Sequence, residues 1–131
     1  MTRIRRQATD AELEVLKVLW ELGPATIRQL TDRLYPGGRT SQYATVQKLL
    51  ERLQAKSCVG RRPRGRVNVY TARVGREDLI ASRLRETADR LCDGSLTPVL
   101  TQLVHEAELN PDELQALREL VRRHGRRKAG R

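Results

Sequence analysis

The sequence predicts a mainly α-helical protein of the α+β winged-helix class, with a winged helix-turn-helix domain followed by three further helices. Two observations lead to this prediction. Residues 40–56 form an amphipathic helix with one apolar face and one face of cations, amides and hydroxyls. Residues 58–70, directly after it, have the alternating pattern and the turn residues of a short basic hairpin. A two-stranded wing that follows a surface helix is typical of this fold class.

Two helices are predicted before the amphipathic helix. Thr9 and Glu12 have the spacing of a capping box, in which a hydroxyl caps the helix and a carboxylate three residues later binds the N–H of the capping residue. This first helix is expected to end at Gly23-Pro24. Thr26 is expected to cap a second, short helix. Trp20 is expected to be a core residue that locks the first and third helices together.

The third helix is predicted to begin at Thr40 or Ser41 and to bury one face. Its apolar residues recur at i, i+3, i+4 and i+7, so they form a single stripe of Val46, Leu49, Leu50 and Leu53. Such a helix can pack on a core and present its other face to the major groove of DNA, where base edges differ in donors and acceptors. The predicted DNA contacts on this helix are Ser41, Gln42, Tyr43, Thr45, Gln47, Lys48, Arg52 and Lys56.

These residues differ in their expected roles. Gln47 can bind adenine through two hydrogen bonds, and Lys48 can donate to guanine. Arg52 and Lys56 are expected to contact backbone phosphates. Tyr43 lies beside the apolar stripe, so a core position and a DNA contact both stay open for it. The cations can equally form an ordinary solvated helix face.

The hairpin is predicted from two short strands, residues 58–62 and 66–70, around a turn at Pro63-Arg64-Gly65. Its arginines can lie on the phosphates next to the groove or in the minor groove, where they position the protein on DNA rather than specify a sequence. They can also simply keep a surface hairpin soluble. The predicted DNA contacts of this wing are Arg62, Arg64 and Arg66, with Arg61 beside them.

Charge divides the chain into parts. Residues 1–73 hold 15 Lys or Arg against 6 Asp or Glu, a net charge of +9, whereas residues 74–125 have a net charge of −3. A strongly basic half favours a polyanionic partner. We therefore predict a winged-helix DNA-binding domain at residues 1–73, a helical dimerisation domain at 74–124 and a basic disordered tail at 125–131.

The region 74–124 is predicted to form three amphipathic helices. Ser95 is expected to cap the second, and Asn110-Pro111 with Glu113 to begin the third. Three such helices bury their own apolar stripes poorly, so we expect packing against a second copy, which gives a homodimer. The alternative is a monomer in which they fold back on the first domain. The predicted dimerisation residues are Leu84, Leu91, Leu96, Val99, Leu100, Leu103, Leu114, Leu117, Leu120 and Val121.

Other classes of function find little support in the sequence. The two cysteines, Cys58 and Cys92, and the two histidines have neither metal-ligand spacing nor the pattern of a catalytic set, so no enzyme, metal or cofactor is expected. The cysteines suit a reducing cytoplasm. No apolar run approaches the ~20 residues that span a membrane. Two alternatives stay open: a thiol- or metal-responsive winged-helix sensor that uses these cysteines, and a winged-helix protein–protein adaptor.

Four motifs carry a family resemblance. They are Leu19-Trp20 with Gly23-Pro24, then Thr26-Ile27-Arg28, then Tyr43-Ala44-Thr45-Val46, and Gly65-Arg66 leading to Val69-Tyr70. In these motifs the chain resembles the penicillinase and methicillin-resistance repressor family (BlaI/MecI type). The resemblance covers residues 9–80 well and the rest loosely.

The resemblance implies a transcriptional repressor that acts in the cytoplasm as a homodimer on inverted-repeat operators in double-stranded DNA. It also implies release from DNA when a membrane sensor-protease signal leads to cleavage in the dimerisation domain. The scissile Asn-Phe pair of the family aligns with Gln102-Leu103, so this chain departs from the family pattern there. Ser57 stands where the family often has Gly after the recognition helix, so the helix end is expected to differ slightly.

Overall fold

The computed structural model describes residues 8–129, with side chains for residues 8–125. The described part contains six helices and two strands, and their order confirms the predicted class: a winged helix-turn-helix with a two-stranded wing, followed by three helices. In chain order the elements are α1 (Asp10–Leu22), α2 (Ile27–Leu34), α3 (Thr40–Ala55), β1 (Val59–Arg64), β2 (Val67–Ala72), α4 (Arg76–Leu91), α5 (Thr97–Glu106) and α6 (Pro111–Ala129).

Both capping predictions for the first two helices are confirmed. The Thr9 hydroxyl accepts the Glu12 N–H at 3.2 Å, and the Glu12 carboxylate accepts the Thr9 N–H at 3.1 Å. Thr26 and Gln29 repeat this arrangement at the start of α2. Gly23 ends α1 with a φ of 77°, which glycine adopts at little steric cost. The caps satisfy N–H groups that would otherwise lack partners, and they fix where each helix begins.

The third helix, α3, begins at Thr40, as predicted, and ends in a complete Schellman motif. The Ser57 N–H donates to the Gln54 carbonyl at 3.0 Å, and the Cys58 N–H donates to the Leu53 carbonyl at 2.8 Å. Ser57 has a φ of 63°, in the left-handed region that favours glycine. The left-handed cap therefore forms with serine in place of glycine, and a slight difference from the helix end of the family stays a prediction.

The two strands pair antiparallel, and the register ends with Arg64 opposite Val67. The turn lies later than predicted. Pro63 and Arg64 belong to β1, and Gly65-Arg66 forms a two-residue connection. The φ of 64° at Gly65 suits the first central position of a type II′ turn, whose twist matches that of the flanking strands. Pro63 is tolerated because both strands of a hairpin are edge strands, where a missing N–H costs little.

The core lies between α1, α2, α3 and the base of the hairpin. All four apolar residues of the predicted α3 stripe are buried. Ala25, between α1 and α2, forms a two-bond bridge with Tyr70 of β2, at 3.0 and 2.8 Å. This bridge ties the hairpin to the helices. The largest fully buried apolar side chains are Leu16, Leu19, Leu30, Leu50 and Leu53.

Trp20 packs against this core but ties α1 to the chain after β2, whereas the sequence predicts a link to α3. Its indole Nε1 donates to the Val74 carbonyl at 2.9 Å. The Arg76 guanidinium lies 5.3 Å from the centre of the Trp20 ring, within the range of a cation–π interaction. A part-buried indole N–H needs an acceptor, and the free carbonyl beyond β2 supplies it.

The chain divides into two compact units, Met1–Arg83 and Leu84–Arg131, called the first and the second unit below. The division lies inside α4, whereas the sequence predicts a boundary at the end of β2. Arg83 explains the difference, because its guanidinium donates to the Ala8 carbonyl at 2.8 Å and lies 3.7 Å from the Asp10 carboxylate. These contacts hold the beginning of α4 in the first unit.

In the second unit, the start of α6 is confirmed and the start of α5 is corrected. Asn110 Oδ1 accepts the Glu113 N–H at 2.8 Å, as expected of an N-terminal cap. The predicted cap at Ser95 is wrong, because α5 begins after Leu96, whose side chain forms no capping bond. Pro98 lies in the first turn of α5, where its missing N–H and fixed φ suit a helix start.

The last helix, α6, continues to Ala129, into the segment 125–131 that the sequence predicts to be disordered. Residues 130 and 131 lie outside the described residues. Arg, Lys and Ala are good helix formers, which favours this continuation. None of the helices described here is long and apolar enough to cross a membrane.

Candidate nucleic-acid and subunit interfaces

The exposed face of α3 is set by the burial of its opposite face. Val46 and Leu50 are completely buried, and they fix the rotation of the helix about its axis. Residues spaced i, i+4, i+7 and i+11 therefore form one solvent-exposed row along the helix. This row, called the α3 row below, consists of Ser41, Thr45, Lys48 and Arg52.

Two predicted contact residues of α3 have part of their hydrogen-bonding capacity occupied. The Gln42 side-chain oxygen accepts the N–H of Arg39 at 2.7 Å, which caps the start of the helix. The Thr45 hydroxyl donates to the Ser41 carbonyl at 3.0 Å, one turn earlier. Gln42 keeps its amide N–H donors, and Thr45 keeps its lone pairs and methyl group for a ligand.

Tyr43 and Gln47 lie on the surface of α3. Tyr43 is 39% exposed and does not belong to the core. Of the two positions that the sequence leaves open, it therefore adopts the one on the surface. Gln47 is exposed beside the α3 row. Glu51, which the sequence prediction passed over, is exposed on the same helix and would repel phosphate there.

Lys56 does not belong to the α3 row. Its ammonium pairs with the Glu12 carboxylate at 2.5 Å, and the exposed fractions of the two side chains are 15% and 1%. The charge of Lys56 is therefore directed into the protein and is balanced there. This geometry differs from the phosphate contact that the sequence predicts for Lys56, because an amphipathic pattern does not show which cation has a buried counter-ion.

The wing presents its arginines on both faces and at its tip. Arg62 and Arg64 are two residues apart in β1, so their side chains share a face of the hairpin. Arg61 lies on the other face, where its partner across the hairpin is the buried Tyr70. Arg66 lies in the turn. All four arginines are exposed, as a phosphate-binding wing requires.

Two further arginines border this surface and are absent from the sequence prediction. Arg39 is exposed at the N-cap of α3. Arg73 follows β2, and its guanidinium crosses the backbone of β1 at Gly60, where an added Cβ would lie 2.5 Å from Arg73 Nε. Gly60 in mid-strand was a usable signal, because a strand glycine often marks a close approach. For Arg39, the only signal in the sequence was its position immediately before the predicted third helix.

Cys58 is buried, and its surroundings disfavour the reactive thiolate form. Burial raises the pKa of its thiol; the nearby Lys56 ammonium acts in the opposite direction, and the Glu12 carboxylate adds to the rise. The thiolate is the form that reacts and binds metals, so a raised pKa disfavours both. Within the described residues, no three His, Cys, Asp or Glu side chains are grouped so that they could hold a metal ion. The sensor alternative gains no support from this part of the chain.

The second unit leaves most of its apolar side chains in solvent. Within residues 84–125, Ala88 is the only buried side chain, and α5 has no buried residue at all. Over the same described residues, α5 and α6 do not pack side by side. Of the predicted dimerisation residues, Leu96, Val99 and Leu114 are half-buried. The exposed ones are Leu84, Leu91, Leu100, Leu103, Leu117, Leu120 and Val121.

The pair Gln102-Leu103, for which the family resemblance implies cleavage, lies in α5. Both side chains are exposed. A helical segment must open locally before a protease can cleave it, and a helix with few buried contacts opens most readily. Cleavage at this pair stays a prediction.

Comparison with known sequences gives a consistent result. A family model described as "Penicillinase repressor" matches residues 8–123. The "Penicillinase repressor" of Bacillus licheniformis is 29% identical over 124 residues, which cover 93% of this chain and 94% of that protein. An "Uncharacterized 16.5 kDa protein in ptsI 3'region" of Latilactobacillus sakei is 27% identical over 121 residues, or 92% of this chain and 82% of that protein.

Two solved structures are also similar. The solution structure of the DNA-binding domain of the repressor BlaI has a TM-score of 0.49 at 32% identity, and the match covers 60% of this chain and 93% of that chain. The Bacillus licheniformis BlaI monomeric form in complex with the blaP half-operator has a TM-score of 0.48 at 35% identity, with the same coverage of 60% and 93%.

Proposed function

Because the chain belongs to the penicillinase repressor family, we propose that it represses transcription in the cytoplasm by binding inverted-repeat operators as a homodimer. The observation that carries the proposal is the α3 row, which is exposed along a helix anchored by a buried stripe and followed directly by an arginine-rich wing. A cationic helix face next to a basic hairpin fits the shape and charge of a DNA groove and its flanking phosphates.

In this proposal α3 is the recognition helix and lies in the major groove. The residues near its N-terminus approach the base edges, as in other helix-turn-helix proteins. Lys48 then donates to guanine, Gln47 binds adenine, and the free amide N–H groups of Gln42 donate to a nearby acceptor. Thr45 offers its methyl group to thymine, and Arg52 binds a backbone phosphate.

The wing supplies contacts that hold the protein on DNA without reading sequence. Arg62 and Arg64 share one face of the hairpin, and Arg66 lies at its tip. Guanidinium groups bind phosphate through two parallel hydrogen bonds, which gives a strong and orientated contact. We therefore assign to these arginines the positioning of the domain over the phosphates next to the recognition helix.

The homodimer is supported by the apolar surface of the second unit. Leu91 is 80% exposed, Leu120 63% and Val121 64%. A monomer rarely leaves so many large apolar side chains in water, because burying each one contributes about 1.5–3 kcal/mol. A second copy offers the same leucines for self-complementary packing. A two-fold dimer in turn suits an inverted repeat, because each protomer reads one half-site.

Binding of the full-length protein to fluorescent DNA duplexes tests this function. The probes are a random-sequence duplex of about 30 base pairs and a duplex that the protein itself selects from a random library. Lys48→Ala should weaken the selected duplex by about 1–3 kcal/mol and relax base preference at one position. Arg64→Ala should weaken both duplexes alike, and it should lower the salt slope of log affinity by about 0.9.

Two outcomes would contradict the proposal. The first is that the parent protein binds neither duplex even at low salt, where contacts to phosphate are strongest. The second is that both variants bind both duplexes as tightly as the parent, which would remove the assigned surface from the interface. Equilibrium sedimentation of the same protein tests the dimer separately, and a lone protomer at micromolar concentration would exclude it.

A further inference from the structure

We infer that Lys56 acts on DNA binding through its ion pair with Glu12 and not through a phosphate contact, and that this buried pair positions the recognition helix. The inference rests on the proposed function, since it concerns how α3 is aimed at DNA. It assigns Lys56 a positioning role, in place of the phosphate contact that its sequence pattern predicts. The observation that carries it is the ion pair between Lys56 Nζ and Glu12 Oε1 at 2.5 Å.

The pair joins two elements that are distant in sequence. Lys56 is the C-cap of α3, where the Schellman motif turns the chain toward β1. Glu12 is the third residue of α1, and its Oε1 also accepts the Thr9 N–H at 3.1 Å. One carboxylate oxygen therefore receives both the cap of α1 and the ammonium from the end of α3. The pair crosses 44 residues of sequence and holds the two helix ends together.

The burial of Glu12 makes its ion pair with Lys56 sensitive to small movements of either residue. Glu12 is fully buried, and its second oxygen, Oε2, has no hydrogen-bond partner within the described part of the chain. A buried carboxylate without a counter-ion is very unfavourable, so the Lys56 ammonium cannot leave it without a large loss. A shift of α3 along or about its axis would draw Lys56 away from Glu12. The pair thus opposes such shifts in addition to the packing of the buried stripe.

Base reading by α3 depends on this restraint. Hydrogen bonds to base edges require the donors to lie within about 0.5 Å of their productive positions, whereas contacts to phosphate tolerate more movement. Arg52 lies one turn and Lys48 two turns before Lys56 on the same helix, so an error at the helix end is transmitted to them. Loss of the pair should therefore weaken binding to a specific sequence and leave binding to random DNA unchanged.

The two roles of Lys56 predict opposite effects for one substitution. Glu12→Gln removes no cation and replaces the carboxylate that pairs with the Lys56 ammonium by a neutral amide. If Lys56 bound phosphate, this change would strengthen binding to all DNA. If Lys56 acts through Glu12, the same change weakens binding to the selected sequence. Glu12→Gln therefore separates the two roles, whereas replacement of Lys56 alone weakens specific binding in both cases.

The experiment compares the full-length parent with Glu12→Gln, Lys56→Met and the double variant, which replaces both charges by neutral side chains of similar size. Arg52→Gln is the control for a true phosphate contact on the same helix. Each protein is titrated with the random-sequence duplex and with the duplex selected by the parent, at several salt concentrations. Circular dichroism confirms that each variant is folded at the temperature of the titration.

We expect Glu12→Gln and Lys56→Met each to weaken the selected duplex by about tenfold or more, because either change removes one of the two charges of the buried pair. Binding to the random duplex and the salt slope should stay at the parental values. The double variant should lose no more than either single variant, because the two changes remove one shared interaction. Arg52→Gln should weaken both duplexes and lower the salt slope by about 0.9.

The inference is overturned if Glu12→Gln tightens binding to both duplexes, or if Lys56→Met lowers the salt slope as Arg52→Gln does. It is equally overturned if all three variants of the pair match the parent on the selected duplex. Should a single variant fail to fold, the double variant decides, since a neutral pair leaves no buried charge. A parent protein that binds no duplex contradicts the proposed function instead, so the two failures are distinguishable.

Discussion

Ser57 ends the recognition helix in a backbone conformation that a serine adopts only at a cost. Its φ is 63°, and its N–H together with that of Cys58 completes the Schellman motif. In this region the Cβ of an L-residue lies close to the following carbonyl, which costs roughly 1–2 kcal/mol. The ion pair of Lys56 with Glu12 lies before Ser57, and the buried Cys58 packs after it. Together they keep the chain in this conformation. The residue therefore holds strain that a glycine would not have.

Ser57→Gly should stabilise the protein by about 0.5–1 kcal/mol, since the strain relieved exceeds the extra backbone entropy of glycine in the unfolded chain. Urea unfolding followed by circular dichroism measures the change. Ser57→Ala is the matched control, because it removes the hydroxyl and keeps the Cβ, and it should have little effect. A loss of stability in Ser57→Gly would mean that the serine side chain contributes more than its backbone strain costs.

Cys58 makes stability depend on pH in a predictable direction. Burial raises the pKa of its thiol above the ordinary value of 9.0. A thiol whose pKa is raised on folding contributes stability that is present below its unfolded pKa and is lost as the pH rises through its folded pKa. The free energy of unfolding should therefore fall from about pH 9 upward. This fall should be smaller in Cys58→Ala, whatever the stability of that variant at neutral pH.

Urea unfolding of the parent and of Cys58→Ala at a series of pH values between about 7 and 10.5 measures this dependence. Only the difference between the two proteins is informative, because Tyr and Lys residues also lose protons in this range. Parallel curves for the two proteins would contradict the expected contribution of Cys58.

At the scale of elements, the helices of the second unit behave differently from those of the first. The first three helices bury stripes of leucine and valine, whereas α5 buries nothing. Leu100 and Leu103 lie one turn apart on one side of α5, and both are more than half exposed. His105 lies on the opposite side of the same helix by the helical repeat. A self-association surface on α5 therefore has a clear inner and outer face.

Leu103→Asp should weaken self-association by at least about tenfold, since it removes a leucine whose burial in the proposed dimer contributes about 1.5–3 kcal/mol, and it places a charge in an apolar contact. His105→Asp introduces the same carboxylate on the other face of α5 and should leave self-association unchanged. Sedimentation velocity over a range of protein concentrations measures both. Equal effects of the two substitutions would show that α5 contributes through its overall charge rather than through an apolar face.

At the scale of the whole molecule, charge and apolar surface lie in different parts of the chain. The +9 charge lies in residues 1–73, and most of the exposed leucines of the described residues lie in the second unit. In the proposed function, the basic part of the chain binds phosphate and the part with the exposed leucines binds a second copy. In the proposed dimer, the affinity for an operator then depends on how far apart the two half-sites lie along the DNA.

Insertion of about five base pairs between the half-sites of the selected duplex should reduce affinity to that of a single half-site, because half a turn moves one site to the opposite side of the helix. Insertion of about ten base pairs returns both half-sites to the same side of the DNA helix and should recover part of the lost affinity. Titration of the full-length protein with the three duplexes measures the effect. Equal affinity for all three would indicate that the protomers bind independently.

The chain by itself determined the elements and the faces of its helices, because these depend on local spacing. Thr9 with Glu12 fixed the start of α1, and Thr26 fixed the start of α2, through hydrogen bonds between residues three apart in sequence. The spacing of Val46, Leu49, Leu50 and Leu53 fixed which face of α3 is buried. The exposure of Lys48 and Arg52 followed from the same periodicity.

The tertiary structure alone decided which side chains meet across long distances in sequence. It turned Lys56 inward to Glu12, directed the Trp20 indole to the Val74 carbonyl, and carried Arg73 across Gly60. It also moved the domain division into α4, through the contacts of Arg83. Helical spacing places a cation on a face, but only the packing of distant segments decides whether that cation meets solvent, a carboxylate or a backbone carbonyl. That is why the α3 row could be predicted from sequence, whereas the positioning role of Lys56 could not.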